Sequence, residues 1–207
     1  LTITDGYGRQ VTVPENISSV VCSAGGPCVR CLAYMDAVDK LAGADSGDKP
    51  SNTTTRDTRS YTLANPQFAN LTLIGSANND GNLETIMMIK PDIIFMMGSA
   101  SNLTNETVTP ADTMQSKTGI PVISLSSGSY TTPEGRIQLY NSYRIIGKVL
   151  GKEARAEELI GYIEETLADF EKRTKDIPES EQKPAFIGGL SHGGSHGLLS
   201  TQSAYPP

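Results

Sequence analysis

The chain has 207 residues, 37 % of them hydrophobic and 19 % charged, enough for one large domain or two small lobes with hydrophobic cores. A formal net charge of −6 and a sequence pI near 4.9 exclude a nucleic-acid partner, which needs clustered Lys and Arg. The longest apolar runs, such as Ile93 to Met97, are strand-sized and far short of a membrane span.

The amino end alternates as Leu1-Thr2-Ile3-Thr4, turns through Asp5-Gly6-Tyr7-Gly8 and resumes at Val11-Thr12-Val13, which predicts a β-hairpin closed by Pro14. No basic or apolar leader precedes Leu1, so an export signal, like any membrane tether, is expected outside this chain. Ile17 to Cys22 is a β-branched strand. The turn Ser23-Ala24-Gly25-Gly26-Pro27 follows, with Pro27 suited to a helix's first turn. The helix beyond it shows its apolar face at Val29, Leu32, Ala33 and Met35.

Asp45 to Arg59 is polar without periodicity and predicts a loop. From Gly81 to Asp92 a short helix is expected, capped by Asn82 and halted by Pro91. Asp92 to Met97 is apolar on both faces, the pattern of a fully buried strand. A helix near Pro110 to Thr118 and a strand at Pro121 to Leu125 complete another unit. Strands alternating with short helices predict an α/β layer with a parallel sheet. From Pro133, Ile137, Tyr140, Ile145 and Val149 mark one helix ending near Gly151. Ala154 to Lys175 predicts a second, with an apolar face at Ile160, Ile163, Leu167 and Phe170. Ile177 to Pro184 is polar and Pro-containing, a predicted boundary, and Ala185 to Gly188 begins a new strand. The expected organisation is an α/β lobe at 1–132, a helical linker with a long backbone helix at 133–176, and the start of a second lobe at 184–207.

Cys22, Cys28 and Cys31 lie within ten residues, and their odd number precludes a fully paired disulfide framework within one chain. Cys28-x-x-Cys31 reads as a redox pair, half of a metal site, or two small buried hydrophobes at a helix start. The last reading leads, since a structural zinc site would need a second pair of ligands. Asn-x-Ser/Thr sequons occur at Asn16, Asn52, Asn70, Asn102 and Asn105 and point to exported, exposed loops, although a chain rich in Asn and Thr also generates them by chance.

Several segments together resemble the helical-backbone class of substrate-binding proteins that serve ABC importers of iron-siderophores, haem, cobalamin and transition metals. The resemblance rests on Ile3-Thr4-Asp5-Gly6-Tyr7-Gly8-Arg9-Gln10-Val11-Thr12-Val13-Pro14, on a first βα unit whose helix is expected to end in Asp39-Lys40-Leu41-Ala42-Gly43, on Asn82-Leu83-Glu84-Thr85-Ile86 with Lys90-Pro91-Asp92-Ile93-Ile94, and on Gly119-Ile120-Pro121-Val122. The long helix from Ala154 sits where that class places its interlobe backbone helix. The resemblance implies a bilobal α/β fold, a metal or metal-chelate ligand in the cleft, no enzymatic activity and no cofactor. It also implies an extracytoplasmic location and an ABC permease partner that docks on Glu84. Most of the second lobe is expected to be absent from this chain, so the residues after 184 are expected to be disordered, docked on the first lobe, or exchanged in a swapped dimer.

Ligands of parallel α/β lobes sit outside the carboxyl ends of the strands. This nominates Gly25, Gly26, Pro27 and Cys28, Arg56 and Tyr61, Ser99, and Ser127 and Tyr130. The glycine turn offers backbone N–H groups to an anionic chelate, although turns of this composition also occur without ligands. Arg56, Arg59 and Tyr61 offer paired donors to carboxylate or catecholate oxygens, or are merely solvated. His192 and His196, both histidines of the chain, suit ligand contact or interlobe packing better than a bare metal, which wants three or four protein ligands. Two other functions stay open: a thiol-redox or metal-dependent enzyme using Cys28 and Cys31, and a glycosylated surface structural protein.

Overall fold

In the computed structural model, the structure describes residues 1–23, 28–46, 60–75, 82–98, 110–181, 191–192 and 195–196. Strand β1 (Thr2–Thr4) pairs antiparallel with β2 (Gln10–Thr12), with Ile3 opposite Val11, as the alternation around Asp5-Gly6 predicts. Ile3, Val11 and Val13 turn inward and the threonines outward.

Five strands form a parallel sheet: β3 (Val20–Ser23), β4 (Leu41–Ala44), β5 (Thr72–Leu73), β6 (Ile93–Gly98) and β7 (Val122–Ser126). Their order is β5-β4-β3-β6-β7, so chain order reverses between β3 and β6. The strands expected from Ile17, Asp92 and Pro121 are β3, β6 and β7. Leu41-Ala42-Gly43, expected at the end of a helix, instead belongs to β4. Helix α1 (Cys28–Tyr34) stops early, Asp36 takes a left-handed φ of 51°, and a 3-10 turn at Val38–Lys40 delivers the chain to the sheet. Gly43 matters there, because a Cβ would lie 2.9 Å from Ile74 Cγ2 and 3.0 Å from Ile89 Cδ1.

The other helices are α2 (Ser60–Leu63), α3 (Leu83–Ile89), α4 (Pro110–Thr118), α5 (Pro133–Leu150) and α6 (Glu153–Thr174). Asn82 caps α3 by accepting from Thr85 N at 3.1 Å, and Lys90 ends the helix in the left-handed region just before Pro91. Thr132 caps α5 through Gly135 N at 3.0 Å, and Gly151 terminates it at φ 67°. Two apolar-face assignments need correcting. Ile137 is 68 % exposed, and the α6 stripe is buried at Ile160 but 58 % exposed at Phe170. Tyr143 and Ile146, rather than Ile137, anchor the buried face of α5.

One face of the sheet carries Val21, Ile94, Met96 and Val122, packed with Ile86 of α3 and with Ala111 and Met114 of α4. Period-two alternation sends Val20, Cys22, Ile93, Phe95, Ile123 and Leu125 to the opposite face, where they are also buried. That is why Ile93 to Met97 is apolar throughout. Each such Ile or Phe, fully withdrawn from water, contributes about 1.5–3 kcal/mol.

Edge strand β7 is covered by the turn of the amino-terminal hairpin. Gly6 N donates to Ser124 O at 2.8 Å, and the Asp5 carboxylate accepts from Ser124 N at 3.1 Å. Asp5 also accepts from Tyr7 N, Arg9 N and Arg9 Nη1 at 2.9–3.0 Å. Arg9 completes the lock through Asp112 Oδ1 at 2.7 Å and Val122 O at 3.0 Å.

At the amino ends of β3 and β6, Asp92 accepts from Ser18 N, Ser18 Oγ and Ser19 N at 2.7–2.9 Å. The Ser18 backbone bond, ahead of the remaining hydrogen bonds and nearby Lys40, holds its carboxyl below the ordinary value of 3.8 despite some desolvation. Because the folded pKa is the lower one, the stabilisation is complete above the unfolded value and is lost as pH falls through the folded value. Asp92→Asn is therefore expected to cost about 1–2 kcal/mol at pH 7. In urea unfolding, the gap between the two proteins should close as the pH is lowered past 3.8.

The chain divides into two compact units, Leu1–Ile160 and Gly161–Pro207. In the second, β8 (Ser191–His192) and β9 (Ser195–His196) form a two-residue antiparallel ladder, His192 opposite Ser195 and His196 opposite Ser191. The predicted boundary near Pro178 contains a 3-10 turn, Glu179–Glu181, while the strand expected at 185–188 lies outside the described residues.

Candidate functional site

The carboxyl edge of the sheet gathers the functional candidates, and the β3/β6 reversal marks the crevice where open α/β sheets take ligands. Strand β3 delivers buried Ser23, β4 leads into buried Asp45, and β7 ends at buried Ser126. Of the loops leaving these strands, the one after β7 is fully described. Ser126 N donates to Ser142 Oγ at 3.0 Å, and that hydroxyl donates back to Ser126 O at 2.8 Å. Ser129 N donates to Gly135 O at 3.0 Å, and Arg136 Nη1 to Tyr130 O at 3.1 Å, so the first turn of α5 holds the loop on both sides. Gly128 sits at φ +55°, its Cα facing the α5 backbone. Ser127 is half-buried and Tyr130 is 40 % exposed.

Tyr143 is buried beside Tyr130. Burial pushes the Tyr143 hydroxyl far above its ordinary range, with neighbouring Cys31 and Tyr130 adding to the shift and Arg30 opposing it. Tyr143 therefore stays protonated beside the exposed Tyr130, whose backbone carbonyl is held by Arg136. Arg30, on α1, supplies the local positive charge. A half-buried guanidinium beside a phenol and serine hydroxyls suits an anionic or oxygen-rich ligand.

The cysteines pair differently from the Cys28-x-x-Cys31 reading. Cys22, near the end of β3, is bonded to Cys28, the first residue of α1, and Cys31 is a buried free cysteine. The bond thus ties β3 to the first residue of α1, and Cys28 is not available to form a CxxC redox couple. Both Cys28 and Cys31 are buried, as the leading reading expects, but Cys28 is bonded to Cys22 because α1 begins within disulfide reach of the end of β3. Thiol titration of the unfolded, unreduced protein should find one reactive group, and three after reduction. Reduction should lower stability by about 2 kcal/mol for so short a loop, measured as the shift in urea midpoint.

Of the other candidates, Tyr61 is half-buried on α2, where its carbonyl accepts from Asn65 Nδ2 at 2.7 Å. Glu84 is exposed in the first turn of α3, which leaves the carboxyl side of the sheet after β5. Gly25, Gly26, Pro27, Arg56 and Ser99 lie outside the described residues. His192 and His196 are placed only as backbone, in β8 and β9. Among the described residues, no three His, Cys, Asp or Glu side chains gather to hold a metal ion. Arg30, Asp45 and Tyr143 were not singled out by sequence, though an arginine between two buried cysteines of an apolar helix was a usable signal.

The sequence profile of the periplasmic binding proteins matches residues 31–205. The chain belongs to the periplasmic binding protein family. This periplasmic binding protein is 24 % identical over 187 residues to the uncharacterized ABC transporter substrate-binding lipoprotein YvrC of Bacillus subtilis (strain 168). That alignment takes in 90 % of this chain and 51 % of YvrC, so the chain spans about half the length of the curated relative. Among solved structures it resembles the molybdate periplasmic binding protein MolA of Haemophilus influenzae, bound to molybdate, at TM-score 0.68 and 20 % identity, covering 89 % of this chain and 56 % of MolA. It also resembles Staphylococcus aureus SirA complexed with staphyloferrin B, at TM-score 0.60 and 20 % identity, covering 91 % of this chain and 55 % of SirA. These likenesses establish the parallel-sheet fold.

Proposed function

We propose that this chain is the ligand-holding first lobe, with its helical linker and the start of a second lobe, of an extracytoplasmic receptor that delivers an anionic metal chelate or oxyanion to an ABC importer. The observation that carries the reading is the carboxyl edge at the β3/β6 reversal. There the Cys22–Cys28 disulfide at the start of α1, Arg30 on the same helix, and neighbouring Tyr130 and Tyr143 lie within a periplasmic binding protein fold. Structural neighbours bound to molybdate and to staphyloferrin B support oxygen-rich anions as the ligand class. Gly25, Gly26, Pro27, Arg56, Ser99, Ser127, His192 and His196 complete the proposed ligand set. Native mass spectrometry of the complete protein should show a co-purifying anionic chelate, or binding of added molybdate or ferric siderophore. Arg30→Gln should weaken that binding at least tenfold. Failure of both ligands to bind wild type, or unchanged affinity in the variant, would count against it.

Glu84, exposed on the same side of the sheet, is the proposed contact for a basic permease surface. Its place in the first turn of α3 also favours a carboxylate through the helix dipole, worth about 0.3–1 kcal/mol. Glu84→Gln is expected to leave ligand affinity unchanged and stability within about 1 kcal/mol. It should reduce transport severalfold at limiting receptor concentration, since rim charges set encounter and register. Equal transport by both proteins would leave only the dipole role.

A further inference from the structure

Five of the ten asparagines begin an Asn-x-Ser/Thr sequon. With 40 Ser and Thr among 207 residues, roughly two would arise by chance, so the pattern exceeds composition. Asn52, Asn102 and Asn105 lie outside the described residues; Asn16, in a bend, and Asn70, at the end of a 3-10 helix, are both exposed. Asn16 precedes β3 and Asn70 ends the 3-10 turn before β5, so both stand on the amino side of the parallel sheet. The candidate ligand crevice and Glu84 are on the carboxyl side.

The two sites differ in one respect that matters chemically. The Ser18 hydroxyl of the Asn16 sequon is engaged by Asp92 Oδ2 at 2.8 Å. Thr72 of the Asn70 sequon is exposed on β5, the last strand of the sheet, beside Leu73, itself 48 % exposed. The opposite edge, β7, is covered by the hairpin turn, whereas β5 has a paired neighbour on one side only among the described residues. An edge uncovered among the described residues and carrying an exposed leucine can pair with another chain, and bulky hydrophilic cover nearby suppresses that.

We propose that Asn70 is an N-glycan acceptor whose sugar screens the β5 edge and leaves the ligand and docking side free. In the transfer, Asn70 Nδ2 forms a bond to C1 of a polyprenyl-phosphate-linked oligosaccharide. The C1–O bond breaks, the lipid phosphate leaves with its electron pair, and the amide proton passes to solvent or the transferase. Asn16 is the poorer acceptor once Asp92 has claimed Ser18. The proposal rests on the extracytoplasmic reading above, because the transfer occurs on exported chains.

The test is glycopeptide mass spectrometry of the protein purified from the cells that make it, with protease accessibility in spheroplasts as the measure of location. The expected result is a sugar increment on the Asn70 peptide, lost in Asn70→Gln and Thr72→Ala and retained in Thr72→Ser, with Asn70→Gln more prone to aggregate. A protein outside the membrane with only unmodified Asn70 overturns the glycan and leaves the receptor reading intact. A protein shielded inside the cytoplasmic membrane overturns both.

Discussion

Replacing Asp5 with alanine is expected to lower the unfolding free energy by about 3–5 kcal/mol, the cost of breaking a buried, hydrogen-bonded ion pair. The Asp5 side chain has no solvent exposure and accepts from three backbone N–H groups and from Arg9 Nη1. Alanine leaves Ser124 N, on edge strand β7, buried without its acceptor, which alone costs about 1–3 kcal/mol. Asp112 continues to neutralise Arg9 at 2.7 Å, so the loss should fall toward the lower end of the range. Asp5→Asn keeps one acceptor oxygen and the shape but not the charge, and should lie between wild type and alanine. Urea unfolding should show lower midpoints with unchanged slope. Faster amide exchange at Ser124 would place the damage at the β7 edge. An alanine variant within 1 kcal/mol of wild type would mean that the hairpin turn is not what secures that edge.

Asp5 also shows where sequence reasoning reached and where it stopped. Asp5-Gly6 between alternating segments announced the hairpin, because a tight turn is a local matter. That the same carboxylate reaches across to Ser124, 119 residues on, is tertiary and leaves no local trace. Strand β6 was legible because both faces are covered, and α3 because Asn82 and Lys90-Pro91 bracket it. Strand β4 was hidden because Leu-Ala-Gly-Ala lacks β-branched residues and directly follows a helical pattern; β5 is only two residues long. At the site, the passage from β3 into α1 decided which cysteines met, and the loop after β7 placed Tyr130 beside Tyr143 of α5. Helical spacing along α1 and α5 carries neither fact.

The loop after β7 gives the second large effect. Gly128→Ala is expected to cost about 2–4 kcal/mol, the sum of a left-handed backbone penalty of about 1–2 kcal/mol and an overpacking cost of similar size. An added Cβ would stand 2.5 Å from Leu139 N and 2.7 Å from Gly135 O, both backbone atoms of α5 that cannot rotate away. Gly119 is the internal control: its φ is +71° and a Cβ there meets nothing within 4 Å, so Gly119→Ala should show the backbone penalty alone. The difference between the variants isolates the contact with α5. Relief of that contact requires the 126–132 loop to move away from the helix, and Tyr130 moves with it, away from buried Tyr143. Gly128→Ala should therefore also weaken ligand binding in the complete protein at temperatures where it is still folded, while Gly119→Ala should not. Equal destabilisation by the two substitutions would show that the loop yields freely, and that α5 does not fix the position of Tyr130.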